Sequence, residues 1–260
     1  MFDGFTTFEF THDGATRTVY RRGEGPGVIV MHEIPGITPE VARFAGWVAD
    51  AGLTAIMPDM FGTPGKSASL GYVARQMIGA CISREFHVLA SHSSSPITEW
   101  LRALCRHAHR ELGGPGVGAV GMCLTGNFAL SLMVDPVLMA PVLSQPSLPF
   151  PLGAKRRASL HLSADDLAVV KKRVGEGCKV LGLRFTKDPL SPPERFDALR
   201  RELGDGFESI EIDSKHGNPE SPSPTPHSCL TNDLVDEAGH PTREACDRVL
   251  AFFSERLHTA

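Results

Sequence analysis

The sequence predicts an α/β protein: a mostly parallel sheet with helices on both faces, opened by an antiparallel β-hairpin. Three observations predict it. Short apolar runs recur along the chain, amphipathic stretches with helix-start and helix-stop residues fall between them, and Asp13-Gly14 joins two β-branched and aromatic runs near the N-terminus. Strand-like runs alternating with amphipathic helices are the pattern of βαβ units. An Asp-Gly pair between alternating runs is the strongest short-range hairpin signal.

The elements follow in order. FEFTHDGATRTVYRRG (8–23) is the hairpin, and GVIVMHE (27–33) is a run apolar enough to be buried on both faces. A helix comes next, with Thr38 as N-cap, Pro39 in its first turn, Val41, Phe44 and Val48 along one stripe, and Gly52 as the stop. LTAIMPD (53–59) is a second buried strand. A helical middle region of about 62–112 is expected to form a cap over the site; within it Ser95-Pro96 starts a helix carrying Ile97, Leu101, Leu104, Ala108 and Leu112 on one face. Strands are predicted at 117–121, 137–143, 178–186 and 207–212, and helices at 126–134, 163–174, 192–203 and 242–257. GNPESPSPTPHS (217–228) reads as an extended Pro-rich loop rather than a linker, because elements of the same sheet flank it. A single domain spanning 1–260 is therefore expected.

Composition excludes several functions. A net charge of -4 leaves no excess of cations to follow a phosphate backbone, and Lys155-Arg156-Arg157 and Lys171-Lys172-Arg173 are short enough to be solvated faces. No nucleic acid partner is expected. No apolar run approaches the roughly 18 residues a membrane span needs, and the first residues carry acids instead of a basic leader, so a cytoplasmic protein is expected. Cysteines stand at 81, 105, 123, 178, 229 and 246 with no C-x-x-C pair, which predicts free thiols, no metal site and no cofactor.

Active sites of such sheets lie at the carboxyl ends of the strands, so the residues leaving each strand carry the chemistry. AVGMCLTGNF (119–128) is a strand, then small-x-nucleophile-x-small, then a helix start. That is the pattern of a nucleophile elbow, in which a tight turn lifts the middle side chain clear of the sheet. Cys123 is that side chain, and a helix start behind it favours the reactive thiolate; the alternative is a buried, inert cysteine. An acid and then a histidine should follow, each just past a strand. Asp188 follows the run ending LRFTKD, and His216 follows FESIEIDSKH. His227, inside the Pro-rich stretch, competes with His216 but lies eleven residues further from the strand end, and a base has to be positioned by a rigid element. The order Cys123, Asp188, His216 is therefore the expected triad. Leu124 N–H, after the nucleophile, and Ile34 N–H, in the loop after an early strand, are the expected oxyanion donors. Glu33, closing an apolar strand, either faces solvent or lies partly buried beside the thiol, where it would raise the thiol pKa in the resting protein.

Taken together, VIVMHEIPGI, LTAIMPDMFG, GMCLTG, TKDPLSP and the strand ending in His216 resemble the dienelactone hydrolase family of α/β-hydrolases, from about residue 25 to the C-terminus. The resemblance implies an α/β-hydrolase fold and a small-molecule ester or lactone substrate. It implies Cys123, Asp188 and His216 as the triad, Ile34 and Leu124 as oxyanion donors, and a Glu33 that contacts the resting thiol and helps deprotonate it when substrate binds. Where the family shows C-x-G-G after the nucleophile, this chain has Cys123-Leu124-Thr125-Gly126. A nearby arginine that would hold a substrate carboxylate is missing after the histidine; Arg75 and Arg84 are candidates for that clamp, with surface arginines as the alternative. The expected activity is Cys-dependent ester or lactone hydrolysis by a monomer or homodimer. Acyl-thioester hydrolysis on the same site and a non-catalytic binding protein of the same fold are the rival readings.

Overall fold

Eight strands form one sheet in the order β1-β2-β4-β3-β5-β6-β7-β8. The structure, a computed structural model, describes residues 2–69, 71–76 and 95–258. β1 (Thr6–His12) and β2 (Ala15–Arg22) pair antiparallel across Asp13 and Gly14, both at positive φ (48° and 76°), as a two-residue hairpin turn requires. β2 then pairs antiparallel with β4 (Thr54–Pro58). From β4 onward, β3 (Gly27–Met31), β5 (Val117–Met122), β6 (Leu138–Ser144), β7 (Val180–Phe185) and β8 (Phe207–Ile212) run parallel. The fold is thus the expected α/β-hydrolase arrangement, hairpin included.

Helices cover both faces because the central strands are apolar on both. Ile29 and Met31 of β3 and Ala119 of β5 face one core, shared with α2 (Pro96–Leu112), α3 (Phe128–Leu132), α5 (Ala164–Gly175) and α6 (Pro193–Leu203). Val28, Val30, Val120 and Met122 face the other, shared with α1 (Pro39–Asp50) and α7 (Pro241–Leu257). The period-2 alternation of a strand sends neighbouring residues to opposite layers. One short helix, α4 (Ala154–Arg157), takes in the basic cluster read as a solvated face and buries none of its residues.

Two helix starts follow their sequence signals. Thr38 caps α1, its hydroxyl accepting from Val41 N–H at 3.4 Å, and Ser95 caps α2, accepting from Thr98 N–H at 3.3 Å. α2 buries Ile97, Trp100, Leu101, Leu104 and Ala108 against β3 and β5. Residues 96–112 are therefore a layer of the sheet, not part of a cap, because their apolar stripe is spent on the core. Of the rest of that region, 71–76 are helical and 77–94, with Arg84, lie outside the described residues. Among the described residues no helix is long and apolar enough to cross a membrane.

At the carboxyl ends, the exits of β3 and β4 press together. A Cβ on Gly62 (φ 88°) would lie 2.0 Å from the Pro35 carbonyl oxygen, so only glycine permits the approach. His32, fully buried, joins the same two exits: Nδ1–H donates to the Glu33 carbonyl (3.1 Å) and Nε2 accepts from Met60 N–H (3.1 Å). A ring nitrogen that accepts has no proton, so His32 is neutral, and burial pushes its pKa down to about 4.

This burial sets a pH dependence. The unfolded histidine protonates near pH 6.5 and the folded one near 4, so the unfolded state binds the extra proton between those values. His32 contributes stability that is fully present above about pH 6.5 and lost as pH falls toward 4, on the order of 3 kcal/mol in all. Urea midpoints measured from pH 7 to 4.5 should fall for the wild type, and fall less steeply for His32→Gln.

Candidate active site

β5 runs into a turn at Cys123 that is unusual for a side chain with a Cβ. Cys123 has φ 54°, in the left-handed region, and is 6% exposed. A 3-10 turn, Cys123–Thr125, precedes the expected helix at 126–134, of which the structure forms α3. Tight packing enforces this. A Cβ on Gly121 would meet the Thr125 carbonyl oxygen at 2.1 Å, and one on Gly126 would meet the Pro146 Cα at 2.4 Å. Thr125 does more than stay small: its buried hydroxyl donates to the Met31 carbonyl (2.9 Å) and accepts from Met122 N–H (2.9 Å), tying the elbow to the end of β3. The Cys123 carbonyl accepts from Gly126 N–H and Ser147 N–H, both at 3.0 Å. Leu124 N–H lies in the first turn of the short helix, where no intrahelical acceptor exists. Ile34 N–H makes no hydrogen bond among the described residues. Among the described residues, then, neither N–H is given to another hydrogen bond.

Asp188 leaves β7 as expected and is buried. Its loop is held at both ends by the buried Arg184, whose Nε donates to the Ser191 carbonyl (2.7 Å) and Nη2 to the Thr186 carbonyl (3.0 Å) while Nη1 pairs with Glu211. The carboxylate accepts from Leu190 N–H at Oδ1 (2.9 Å), and Oδ2 lies 2.7 Å from Nδ1 of His227.

His227, not His216, is thus the histidine brought to the acid. The chain leaving β8 is stitched to the exit of β7, with Ser214 N–H donating to Thr186 Oγ1 (2.9 Å) and Lys187 N–H to Ser214 Oγ (3.0 Å). It then reverses in a turn closed by Asn218 N–H on the Lys215 carbonyl (3.0 Å), which leaves His216 exposed. The Pro-rich stretch loops out and returns, setting His227 over Asp188. Its side chain keeps 21% of its surface exposed. With Nδ1 on Asp188, the other ring nitrogen, Nε2, is buried and accepts or donates no hydrogen bond of good geometry among the described residues, and Cys123 is the neighbouring group that acts on the ring from that side. Burial alone would lower the imidazole pKa, but Cys123 and Asp188 together outweigh it and hold it well above the ordinary value.

Glu33 is buried, not solvent-facing, and burial raises its pKa. Its oxygens accept from Gln145 Nε2 (3.2 Å), Ser228 Oγ (2.9 Å) and Thr231 Oγ1, and among the described residues it makes no bond to the Cys123 sulfur. The hydrogen bonds of Glu33 go instead to Gln145 at the exit of β6 and to Ser228 and Thr231 on the loop that carries His227. Asp233 braces the same loop, accepting from the backbone N–H of His227 (2.8 Å) and Ser228 (2.9 Å). Neither Gln145 nor this bracing was read from the sequence; a clue lay in the run H-S-C-L-T-N-D, which packs Ser228, Thr231 and Asp233 directly after the histidine.

The expected arginine clamp gains no support: Arg75 is exposed, and Arg84 lies outside the described residues. Arg195 is fully buried but committed, donating to the carbonyls of Pro146 (2.5 Å), Pro149 (2.7 Å), Ser159 (3.0 Å) and Arg156 (3.0 Å). It shapes the loop beside the elbow. Among the described residues no cluster of three or more His, Cys, Asp or Glu could hold a metal ion.

Comparison with known proteins bears on the family and the fold. The model of the dienelactone hydrolase family matches residues 15–149, just over half of the chain. A Saccharomyces cerevisiae protein assigned as a carboxymethylenebutenolidase is 25% identical over 188 residues, which span 72% of this chain and 66% of that protein. Among solved structures, a Klebsiella pneumoniae protein assigned as a dienelactone hydrolase superposes with a TM-score of 0.61 at 20% identity, covering 97% of this chain and 100% of its own. A dienelactone hydrolase from Anabaena variabilis gives 0.62 at 12% identity, covering 97% and 98%. At those identities the two structures speak to the fold.

The elbow's dependence on Thr125 can be measured. Thr125→Val keeps the shape but leaves Met122 N–H and the Met31 carbonyl without their buried partner, which costs about 1–3 kcal/mol. Chemical denaturation should show a loss of that size, whereas Thr125→Ser, which keeps the hydroxyl, should retain most of the stability.

Proposed function

The chain belongs to the dienelactone hydrolase family of carboxylic ester hydrolases, and on that footing we propose that it cleaves a carboxylic ester or lactone through Cys123, His227 and Asp188. The observation that carries this reading is the 2.7 Å contact of Asp188 with Nδ1 of His227, which leaves Nε2 for the sulfur at the elbow. In this reading the elbow after β5 supplies the nucleophile, the exit of β7 the acid and the long loop after β8 the base, the three roles acyl transfer needs.

In the proposed reaction the Cys123 thiolate attacks the acyl carbon, and the carbonyl oxygen takes the negative charge between the N–H groups of Ile34 and Leu124. The protonated His227 gives its proton to the departing alkoxide as the tetrahedral intermediate collapses to a thioester. A water then replaces the alcohol, or in a lactone the ring-opened hydroxyl swings away. His227 takes a proton from that water, the hydroxide adds to the thioester, and the thiolate leaves to regenerate the ion pair. Asp188 holds the ring in one tautomer and stabilises its positive charge, which is the role of the third member in such triads. The substrate is a small molecule; the free state of Cys105, Cys123, Cys178, Cys229 and Cys246 fits a reducing compartment such as the cytoplasm.

Turnover of p-nitrophenyl acetate, a six-membered lactone and an acyl-thioester should be compared across variants. Cys123→Ala and His227→Ala are each expected to lower kcat by about 10³-fold or more, while His216→Ala stays within about twofold, as expected for an exposed side chain. Quenching the wild type in the burst phase should add one acyl mass to the peptide bearing Cys123. An active Cys123→Ala enzyme, or loss of activity in His216→Ala with His227→Ala unaffected, overturns the assignment.

A further inference from the structure

Residues 213–240, between β8 and α7, contain no helix or strand, yet His227 must be held there to a fraction of an ångström. Ordering a ring within so long an irregular segment is entropically costly, so anchors are needed on each side of it. Asp188 holds the ring and Asp233 the backbone at residues 227 and 228. The downstream side is held by Glu33, through the hydroxyls of Ser228 and Thr231. Glu33 also accepts from Gln145, a buried residue at φ 33° at the exit of β6, so one carboxylate gathers the exit of β3, the exit of β6 and the histidine loop.

An uncharged acceptor would serve for the hydrogen bonds alone. Burial raises the Glu33 pKa, and the hydroxyl of Thr231, the nearby His227, Ser228 and Gln145 all act against burial, so the ionised carboxylate is the form that these loop contacts and an imidazolium at His227 support. We propose that Glu33 is a positioning residue that locks the His227 loop through Ser228 and Thr231 and favours the charged imidazole, and that it does not act on the thiol. This role rests on the assignment of His227 as the base. The ionisable groups that face His227 are Cys123 from the elbow, Asp188 from the exit of β7, Glu33 from the exit of β3 and Asp233 on the loop itself; Cys229, two residues on, is buried with its thiol pKa raised far above the ordinary value and stays neutral.

The two possible roles of Glu33 predict opposite signs. If Glu33 opposed the thiolate directly, Glu33→Gln would speed alkylation of Cys123 in the free enzyme. If Glu33 supports the imidazolium, the same change weakens the thiolate-imidazolium pair, moves the iodoacetamide labelling profile to higher pH and slows labelling at pH 7. The decisive variants never touch the sulfur: Thr231→Val and Ser228→Ala/Thr231→Val should lower kcat about 10–100-fold with KM nearly unchanged, as expected when only the base is misplaced. Adding Glu33→Gln to that pair should cost little more, since the groups act as one unit. Glu33→Asp, with circular dichroism and Tm recorded for every variant, separates loss of charge from loss of fold. Wild-type kcat in Ser228→Ala/Thr231→Val alongside an inactive His227→Ala enzyme overturns the role of Glu33 alone, as does faster alkylation of Glu33→Gln. An active His227→Ala enzyme overturns the base assignment and this role with it.

Discussion

Cys123 stands in the left-handed region because its neighbours leave it no other course. Gly121 lies against the Thr125 carbonyl and Gly126 against Pro146, so the chain has to reverse within one residue. The strain of a non-glycine residue at φ 54° is of the order of 1–3 kcal/mol and persists only where the surroundings over-determine it. Those surroundings are the parallel pairing of β3 with β5, the Thr125 bond to Met31, and two helix layers that fill the faces of the sheet. A strained turn needs a rigid base, and the apolar interior of both cores supplies it.

Around that sulfur the neighbouring groups, Glu33 and Asp188 among them, are buried and meet charge with hydrogen bonds. His227 meets carboxylates or their hydrogen-bond relays on three sides, and each was brought in from a different strand exit or from the loop itself. Isolated buried carboxylates are costly, and here each accepts several hydrogen bonds. Arg184 and Arg195 do the matching work for carbonyl groups, fixing the loop of Asp188 and the loop beside the elbow. His32, by contrast, is kept neutral between two backbone partners, so the one fully buried histidine among the described residues adds no competing charge to the site.

The same sequence logic that put Cys123 in the turn after β5 and Asp188 past β7 chose His216, whereas the histidine in contact with Asp188 is His227. Small residues at fixed spacing around a cysteine, and an acid three residues past a strand, are local signals, and local signals survive without a structure. Nearness to a strand end was the wrong criterion for histidine. Residues just past β8 are committed to closing the β7 exit through Ser214, which turns His216 outward. The family match itself ends at residue 149, before either partner of the nucleophile.

What the sequence determined by itself is the layered α/β architecture, the tight turn at Cys123 and the place of Asp188 just past β7, because hydrophobic period, capping residues and steric smallness act over a few residues. Tertiary structure alone decided which histidine meets Asp188, that α2 covers the sheet, and that Glu33 is sealed against Gln145, Ser228 and Thr231. Those outcomes join residues up to two hundred positions apart. They depend on how a long irregular loop returns across the sheet, and no periodicity or spacing within the loop encodes the partner it will find.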